Sequence, residues 1–257
     1  GAPYKVASKV VSELEAEIVV ISNIPNGTNI NVRCGSTDIS ILQKVVLGYE
    51  ADLGLAFDGD ADRLIAVDKN GNVVDGDKIM AVLAENLKLK NKLNNNKVVA
   101  TVMSNMGFEV YMKNRGIDII RANVGDRYVL EEMKKDGLNL GGEQSGHIIF
   151  LDYNTTGDGI LTALQLVAVL KERKAKLHEL TKDIVDYPQV LINLKVANDK
   201  KKTWKENEKI MAVIKEKEEE MKGTGRVLVR PSGTEPMIRV MVEGKYKDQV
   251  QDIANII

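Results

Sequence analysis

The chain alternates short runs rich in valine and isoleucine with segments of helical period, and this alternation restricts its fold more than any other feature. Residues 17–22, 51–57 and 64–68 have the composition of strands, whereas residues 4–14 and 38–49 carry apolar side chains at helical spacing. Strands that alternate with amphipathic helices are typical of α/β proteins. The sequence therefore predicts an α/β protein.

The length of 257 residues suits up to three domains at ~150 residues per domain. Changes of pattern near Gly76 and Pro188 suggest two boundaries. We predict two mixed α/β domains over residues 1–75 and 76–186, the first of them incomplete, followed by a smaller α+β C-terminal domain over residues 187–257.

Composition excludes several classes of protein. The 36 Lys and Arg residues nearly balance the 37 Asp and Glu residues, so the chain lacks the broad positive field of most nucleic-acid binders. Cys34 has no partner for an intrachain disulfide, and no apolar run approaches the ~20 residues that span a bilayer. We expect a cytoplasmic protein with no nucleic-acid or membrane partner. Because the first residue is Gly1, we also expect a piece of a longer protein.

The first loop with chemical character is DGDADR at 58–63, which follows an apolar run. In an extended loop, alternate side chains point the same way, so Asp58, Asp60 and Asp62 can converge on one hard cation, such as Mg²⁺. An EF-hand is excluded, because its sixth position would be Arg63 instead of Gly and its twelfth would be Lys69 instead of Glu. The alternative is a set of acids that cap turns and face water.

The second loop is GGEQSGH at 141–147. Its glycines allow a close approach to a ligand, while Glu143, Ser145 and His147 supply an acceptor, a hydroxyl and a titratable group. This set suits recognition of a polyol and proton transfer. An ordinary glycine-rich turn with a structural histidine is the alternative.

The third loop is RPSGTEP at 230–236, with a further arginine close behind it. Two guanidinium groups and several neutral donors can surround a phosphate dianion. The alternative is an ordinary Pro/Gly turn, which does not explain two arginines around Ser-Gly-Thr. The candidate phosphate ligands are Arg230, Ser232, Gly233, Thr234 and Arg239.

The three loops offer ligands for a metal ion, for hydroxyl groups and for a phosphate. This combination indicates a sugar phosphate as the substrate. Six stretches that follow one another along the chain also carry a family resemblance: ADLGLAFDGDADR at 51–63, VMSNMG at 102–107, NVGDRYVLEEM at 123–133, GGEQSGHIIF at 141–150, NTTGDGI at 154–160 and RPSGTEPMIRVMVEG at 230–244. They are similar to the α-D-phosphohexomutase superfamily, and more to its members that act on glucosamine phosphates than to those that act on mannose or glucose phosphates.

The resemblance implies an enzyme that interconverts glucosamine 6-phosphate and glucosamine 1-phosphate through a phosphoserine and a bisphosphorylated sugar. It implies that the three aspartates hold Mg²⁺, that Glu143 and Ser145 bind sugar hydroxyls, and that the 230–239 residues hold the phosphate that does not react. Arg63 would lie beside the metal and the transferring phosphoryl group. His147 is the candidate general acid/base.

The chain departs from the family where the phosphoserine is expected. The family carries it in a Ser-His-Asn segment, whereas the two histidines here, His147 and His178, follow Gly146 and Leu177. We therefore expect that the phosphoserine domain is absent and that this polypeptide alone has no mutase activity. We expect a homodimeric parent protein. Two alternatives stay open: a phosphomannomutase or phosphoglucomutase of the same superfamily, and a fragment that binds sugar phosphates without catalysis.

Overall fold

The computed structural model describes residues 1–197, 201, 203–232 and 235–257. These residues form two compact units, and the second includes a short stretch from the middle of the chain. The first unit comprises residues 1–104 and 108–185, and the second comprises residues 105–107 and 186–257. A mixed α/β architecture is confirmed, and the division into three domains stays a prediction.

The first unit contains two sheets. Strands β1 (Leu53–Phe57), β2 (Leu64–Asp68) and β3 (Val73–Val74) form an antiparallel sheet in that order. The second sheet has the order β5-β4-β6-β7 and comprises β4 (Lys97–Thr101), β5 (Asp118–Ala122), β6 (Leu140–Gly142) and β7 (Ile148–Phe150). The helices up to residue 185 are α1 (Val6–Ser12), α2 (Ser40–Gly48), α3 (Gly76–Leu89), α4 (Met106–Asn114), α5 (Asp126–Asp136), α6 (Gly159–Arg173) and α7 (Leu177–Thr181).

The second sheet is covered on both faces. Successive side chains of a strand point to opposite faces, so Val98 and Ala100 of β4 join the core that includes α3, α4 and α6. Val99 joins Val129 and Met133 of α5 on the other face. Strand β4 is therefore apolar almost throughout, because it is buried from both sides.

Two hairpins of the first unit place the predicted loops. Phe57 of β1 pairs with Leu64 of β2, so residues 58–63 form the connection between these strands. Gly142 of β6 pairs with Ile148 of β7, so residues 143–147 form a second connection. Both loops are therefore fixed at each end by antiparallel pairing.

The second unit is a three-stranded antiparallel sheet in the order β8-β10-β9, with helices packed on it. Its core contains Trp204, Val240 and Val242. This mixture of strands and helices matches the α+β pattern predicted for the last part of the chain, and a highly charged helix covers residues 208–220. Its elements are β8 (Gln189–Lys195), β9 (Gly225–Pro231), β10 (Met237–Gly244), α8 (Glu208–Glu220) and α9 (Lys247–Ile256).

The strand predicted at residues 17–22 is wrong. These residues belong to no helix or strand, and Val19 and Val20 are each 44% exposed. A strand needs a neighbour that satisfies its backbone groups, and β1, the outermost strand of the first sheet, pairs only with β2 among the described residues. Valine and isoleucine content alone therefore does not make this segment a strand.

Candidate functional site

Three carboxylates converge in the loop between β1 and β2. One oxygen from each of Asp58, Asp60 and Asp62 can be chosen so that all three lie within 4.8 Å of one another. Asp58 Oδ1 also accepts a hydrogen bond of 3.1 Å from the Arg63 backbone N–H, which closes the loop on itself. The structure thus brings together the three aspartates that the sequence singled out.

Crowding of these acids has an electrostatic consequence. Asp58 is only 9% exposed, and burial, followed by its contact with Asp62, raises its pKa to about 6. The side chain of Arg63 provides partial compensation, because its Nε lies 3.7 Å from Asp58 Oδ2 and 3.8 Å from Asp62 Oδ1. A cation among the three carboxylates would remove their mutual repulsion.

The two oxygens of Asp62 have different surroundings. Oδ2 lies 2.9 Å from His147 Nδ1, whereas Oδ1 is buried without a hydrogen-bond partner among the described residues. A buried oxygen without a donor is costly unless something else satisfies it. Hard oxygen donors are the ligands that Mg²⁺ prefers, so the residues present fit this ion.

The loop between β6 and β7 lies directly against the metal loop. The Leu64 N–H donates to Gly146 O at 3.0 Å, and Arg63 and His147 form an antiparallel bridge. Gly146 has a φ of 93°, and a Cβ there would lie 2.2 Å from Leu64 O. Glycine is therefore needed at this position both for its backbone conformation and for the close contact.

Glu143 is held at the start of this loop. Its Oε1 accepts a hydrogen bond of 2.9 Å from the Gly125 N–H, and its Oε2 lies 3.4 Å from Ser145 Oγ. Ser145 is exposed, so a ligand can reach this pair. The carboxylate can accept hydrogen bonds from the alcohol groups of a ligand, and the neighbouring hydroxyl can donate a hydrogen bond to them.

A third segment, residues 157–159 at the start of α6, meets the other two loops. The Gly157 N–H donates to His147 Nε2 at 3.1 Å, and the Gly159 N–H donates to Ala61 O at 2.8 Å. Asp158 Oδ1 accepts from the Leu161 N–H and so caps α6.

Sequence reasoning assigned no role to Gly157, Gly159 or Gly125. The available signal was the pairing of glycine with aspartate directly before a helix, in NVGDR and TTGDG.

The predicted phosphate loop belongs to the second unit. Arg230 and Arg239 stand directly opposite each other on β9 and β10. Burial, followed by the charge of Arg239, lowers the pKa of Arg230. Like charges at opposed positions are unfavourable in a sheet, and an anion would offset this cost.

The rest of this loop is compact. Ser232 is 3% exposed, and its Oγ accepts from the Glu235 N–H at 3.3 Å. Glu235 also accepts a hydrogen bond from Arg239, whose buried Nε lacks a hydrogen-bond partner among the described residues. Gly233 and Thr234, which the sequence also assigned to phosphate binding, lie outside the described residues.

Comparisons with known proteins match almost the whole chain. Two models of the phosphoglucomutase/phosphomannomutase family match it, the alpha/beta/alpha domain III over residues 75–187 and the C-terminal domain over residues 191–257. Phosphoglucosamine mutase from Fusobacterium nucleatum is 60% identical over 261 residues, which cover 100% of this chain and 58% of that protein. Phosphoglucosamine mutase from Thermoanaerobacter sp. strain X514 is 58% identical and is matched over 57% of its length.

Solved structures share the fold. A phosphoglucomutase/phosphomannomutase family protein from Burkholderia thailandensis has a TM-score of 0.79 at 20% identity, over 99% of this chain and 57% of that one. Aspergillus fumigatus N-acetylphosphoglucosamine mutase, solved in complex with GlcNAc-6P and magnesium, has a TM-score of 0.77 at 20% identity, over 99% of this chain and 58% of that one. The chain therefore spans little more than half the length of these proteins. Within the described residues, no helix is both long and apolar enough to cross a bilayer.

Proposed function

The chain belongs to the phosphoglucomutase/phosphomannomutase family, and we propose that it is the part of a phosphoglucosamine mutase that binds the metal, the sugar and the phosphate that does not react. The complete enzyme would interconvert glucosamine 6-phosphate and glucosamine 1-phosphate. The substrate assignment is supported by relatives of this activity at 54–60% identity.

The observation that carries this proposal is the joining of the metal loop to the Glu143–His147 loop. The backbone bond between Leu64 and Gly146 and the contact between Asp62 and His147 hold a cation-binding acid cluster beside a carboxylate and a hydroxyl. Metal and polyol ligands in one rigid place are what transfer of a phosphoryl group to a sugar hydroxyl requires.

The residues of the first unit have distinct roles in this proposal. Asp58, Asp60 and Asp62 hold Mg²⁺, which when bound neutralises charge on the oxygens of the transferring phosphoryl group. Arg63 adds a second positive charge next to the carboxylates. Glu143 accepts a hydrogen bond from a sugar hydroxyl and thereby orients the ring, because the Gly125 N–H fixes its position.

The second unit supplies the phosphate ligands. Arg230 and Arg239 stand opposite each other on β9 and β10, and Ser232 directly follows β9. A dianionic phosphate bound there accepts hydrogen bonds from both guanidinium groups. Gly233 and Thr234 are proposed to contribute further donors.

Substrate binding by this chain tests the proposal. Calorimetry with glucosamine 6-phosphate and MgCl₂ should detect binding that Asp60→Asn and Arg230→Gln each weaken about tenfold or more, as expected for lost contacts with charged groups. Lys222→Gln, at an exposed lysine outside the 230–239 loop, is the control that removes one positive charge and leaves binding unchanged. No binding, or equal losses in all three variants, would contradict the proposal.

Turnover separates the substrate classes. The chain contains no Ser-His dipeptide, so a coupled assay should detect no mutase activity without an added phosphoserine domain. In the full-length protein, kcat/KM should be highest for glucosamine 6-phosphate among the glucosamine, glucose and mannose 6-phosphates. A preference for mannose or glucose phosphate would favour the other members of the family.

A further inference from the structure

Glu143 and Ser145 belong to a tight turn between β6 and β7. The Gly146 N–H donates to Glu143 O at 3.0 Å, and the Glu143 N–H donates to His147 O at 2.9 Å. The first bond closes the turn, and the second continues the pairing of the two strands. The two side chains proposed to bind the sugar therefore take their positions from the backbone of this turn.

The first residue of α3 contacts the same turn. The Gly76 N–H donates to Gln144 O at 2.9 Å. An N–H in the first turn of a helix has no acceptor within its own helix, so the loop supplies the acceptor here. The Asp75 side chain caps the helix by accepting from the Lys78 N–H at 3.1 Å. A carbonyl oxygen at this end of α3 also interacts favourably with the helix dipole.

The contact explains why α3 begins with a glycine. The φ of Gly76 lies outside the left-handed region, and alanine is the better helix former, so the backbone conformation does not call for glycine. A Cβ at this position, however, would lie 2.1 Å from Glu143 O, 2.7 Å from Gly146 N and 2.9 Å from Gln144 O. These atoms include both ends of the bond that closes the turn. Any side chain at Gly76 would therefore displace the turn.

Helix α3 is itself held firmly within the first unit. Ile79 and Met80 are fully buried and belong to the core that includes β4. Because protein interiors are close-packed, such a helix does not shift without disturbing the core. Gly76 thus fixes the backbone of Glu143 against a rigid element, whereas the Gly125 N–H fixes its carboxylate.

We propose that Gly76 is a positioning residue of the sugar site: it holds the turn of residues 143–146 against the start of α3 and so fixes Glu143 and Ser145 for the hydroxyl groups of the ligand. This inference rests on the proposed function for the assignment of the sugar to these side chains. Gly76 acts through the turn and is not itself a ligand. A displacement of ~1 Å in groups that hold a substrate can cost on the order of 100-fold.

The first test compares two ligands of Gly76→Ala by calorimetry. The Kd for glucosamine 6-phosphate should rise about tenfold or more, as expected for a displaced turn. The Kd for inorganic phosphate should stay within about twofold of wild type, because the arginines proposed to bind phosphate belong to the second unit. A loss of stability alone would not separate the two ligands.

Gly54→Ala is the matched control for this test. A Cβ at Gly54 would also be crowded, since it would lie 2.6 Å from Val46 Cγ2, but it would meet an apolar side chain of α2 instead of the turn. Both Kd values should equal those of wild type.

Hydrogen exchange of the wild-type chain is the second test, and it decides if Gly76→Ala does not fold. A ligand that binds only the closed turn slows exchange of the Gly76 and Gly146 amides, by about tenfold at ten times its Kd. Glucosamine 6-phosphate should have this effect, and inorganic phosphate should not.

The outcomes separate this inference from the proposed function. A folded Gly76→Ala variant with wild-type affinity for both ligands, or with equal losses for both, would overturn the positioning role and leave the proposed function standing. Unchanged exchange at Gly76 in the presence of bound glucosamine 6-phosphate would also overturn it. If the wild-type chain does not bind glucosamine 6-phosphate, the proposed function fails and the positioning role fails with it.

Discussion

Asp58 shows how a single residue of the proposed metal site can reduce stability. Its carboxylate is nearly buried and lies beside two other acids, and its pKa is raised from 3.8 to about 6. Near neutral pH the folded chain must therefore keep a charge in a place that disfavours it. Such a residue is tolerated where a cation is to be bound, because the cation reverses the penalty.

We expect Asp58→Asn to stabilise the first unit in metal-free buffer at about pH 7.5, by at most about 3 kcal/mol. A raised folded-state pKa gives stability that is fully present below the unfolded-state value of 3.8 and is lost as the pH rises through about 6. Asparagine has no such loss and can still accept the Arg63 N–H. Urea unfolding followed by far-ultraviolet circular dichroism from about pH 3.5 to pH 7.5 measures the difference.

The control for this prediction is Asp60→Asn, which removes a charge from the same loop at an exposed side chain. Its effect on the free energy of unfolding should be smaller, because exposed substitutions usually change stability by about 0.5 kcal/mol or less. A difference between Asp58→Asn and wild type that is independent of pH, or a less stable Asp58→Asn variant, would contradict the electrostatic explanation.

Among the elements, α5 has the most direct connection to the proposed sugar site. Gly125 lies at its N-terminus with a φ of 127°, and the Gly125 N–H holds Glu143. Gly137 lies at its C-terminus with a φ of 64°. The same helix thus begins and ends with a glycine of positive φ, but only the first glycine contacts a site residue.

These two glycines give a matched pair of variants. A Cβ at Gly125 would be no closer than 3.5 Å to Tyr128, so Gly125→Ala acts through backbone strain of about 1–3 kcal/mol and shifts the N–H away from Glu143. We expect the Kd for glucosamine 6-phosphate to rise about tenfold, because a hydrogen bond to a charged group is lost. Calorimetry measures the change.

Gly137→Ala is the control, since a Cβ there meets nothing within 4 Å and only the left-handed conformation is strained. It should lower stability by about 1 kcal/mol and leave the Kd unchanged. Equal losses of affinity in the two variants would mean that the anchoring of Glu143 has no part in binding.

Elements with a strong local pattern could be predicted from sequence, and elements that depend on a distant partner could not. Strand β2 combines a continuous apolar run with a tight turn after it, and its predicted bounds match those in the structure. By contrast, Gly141 and Gly142 of strand β6 were assigned to a loop, because the sequence Leu-Gly-Gly is not typical of a strand. Gly141 is small because Met133 of α5 packs within 2.7 Å of where its Cβ would lie. The opposite error was made at residues 17–22. These residues have the composition of a strand, but they do not form one, because no described strand pairs with them.

At the scale of the whole molecule, the residue types and spacing of the site are visible in the sequence, but their contacts are not. Spacing alone predicted that Asp58, Asp60 and Asp62 converge. The contact between Asp62 and His147 joins residues 85 positions apart, and it depends on the pairing of Arg63 with His147. The sequence reasoning therefore identified the histidine, and only the fold shows that it contacts Asp62.

Each of the two units carries the residues proposed for a different ligand, a metal ion in the first and a phosphate in the second. The carboxylate cluster belongs to the first unit and the pair of Arg230 and Arg239 to the second. A ligand stabilises the part of the protein that binds it, by about 1.4 kcal/mol at tenfold excess over its Kd. We expect MgCl₂ to stabilise the first unit, and inorganic phosphate to stabilise the second.

Trp204 makes the two responses separable, because it is the only tryptophan in the chain and is buried in the core of the second unit. Its fluorescence should report a thermal midpoint that rises with phosphate and not with MgCl₂ at matched ionic strength. Circular dichroism should show a second transition, that of the first unit, at a different temperature. MgCl₂ should raise the midpoint of this transition, and Asp60→Asn should abolish that increase. If MgCl₂ moved the tryptophan transition as much as the other, the units would unfold as one, and the carboxylate cluster would stabilise the whole chain through a single cooperative transition.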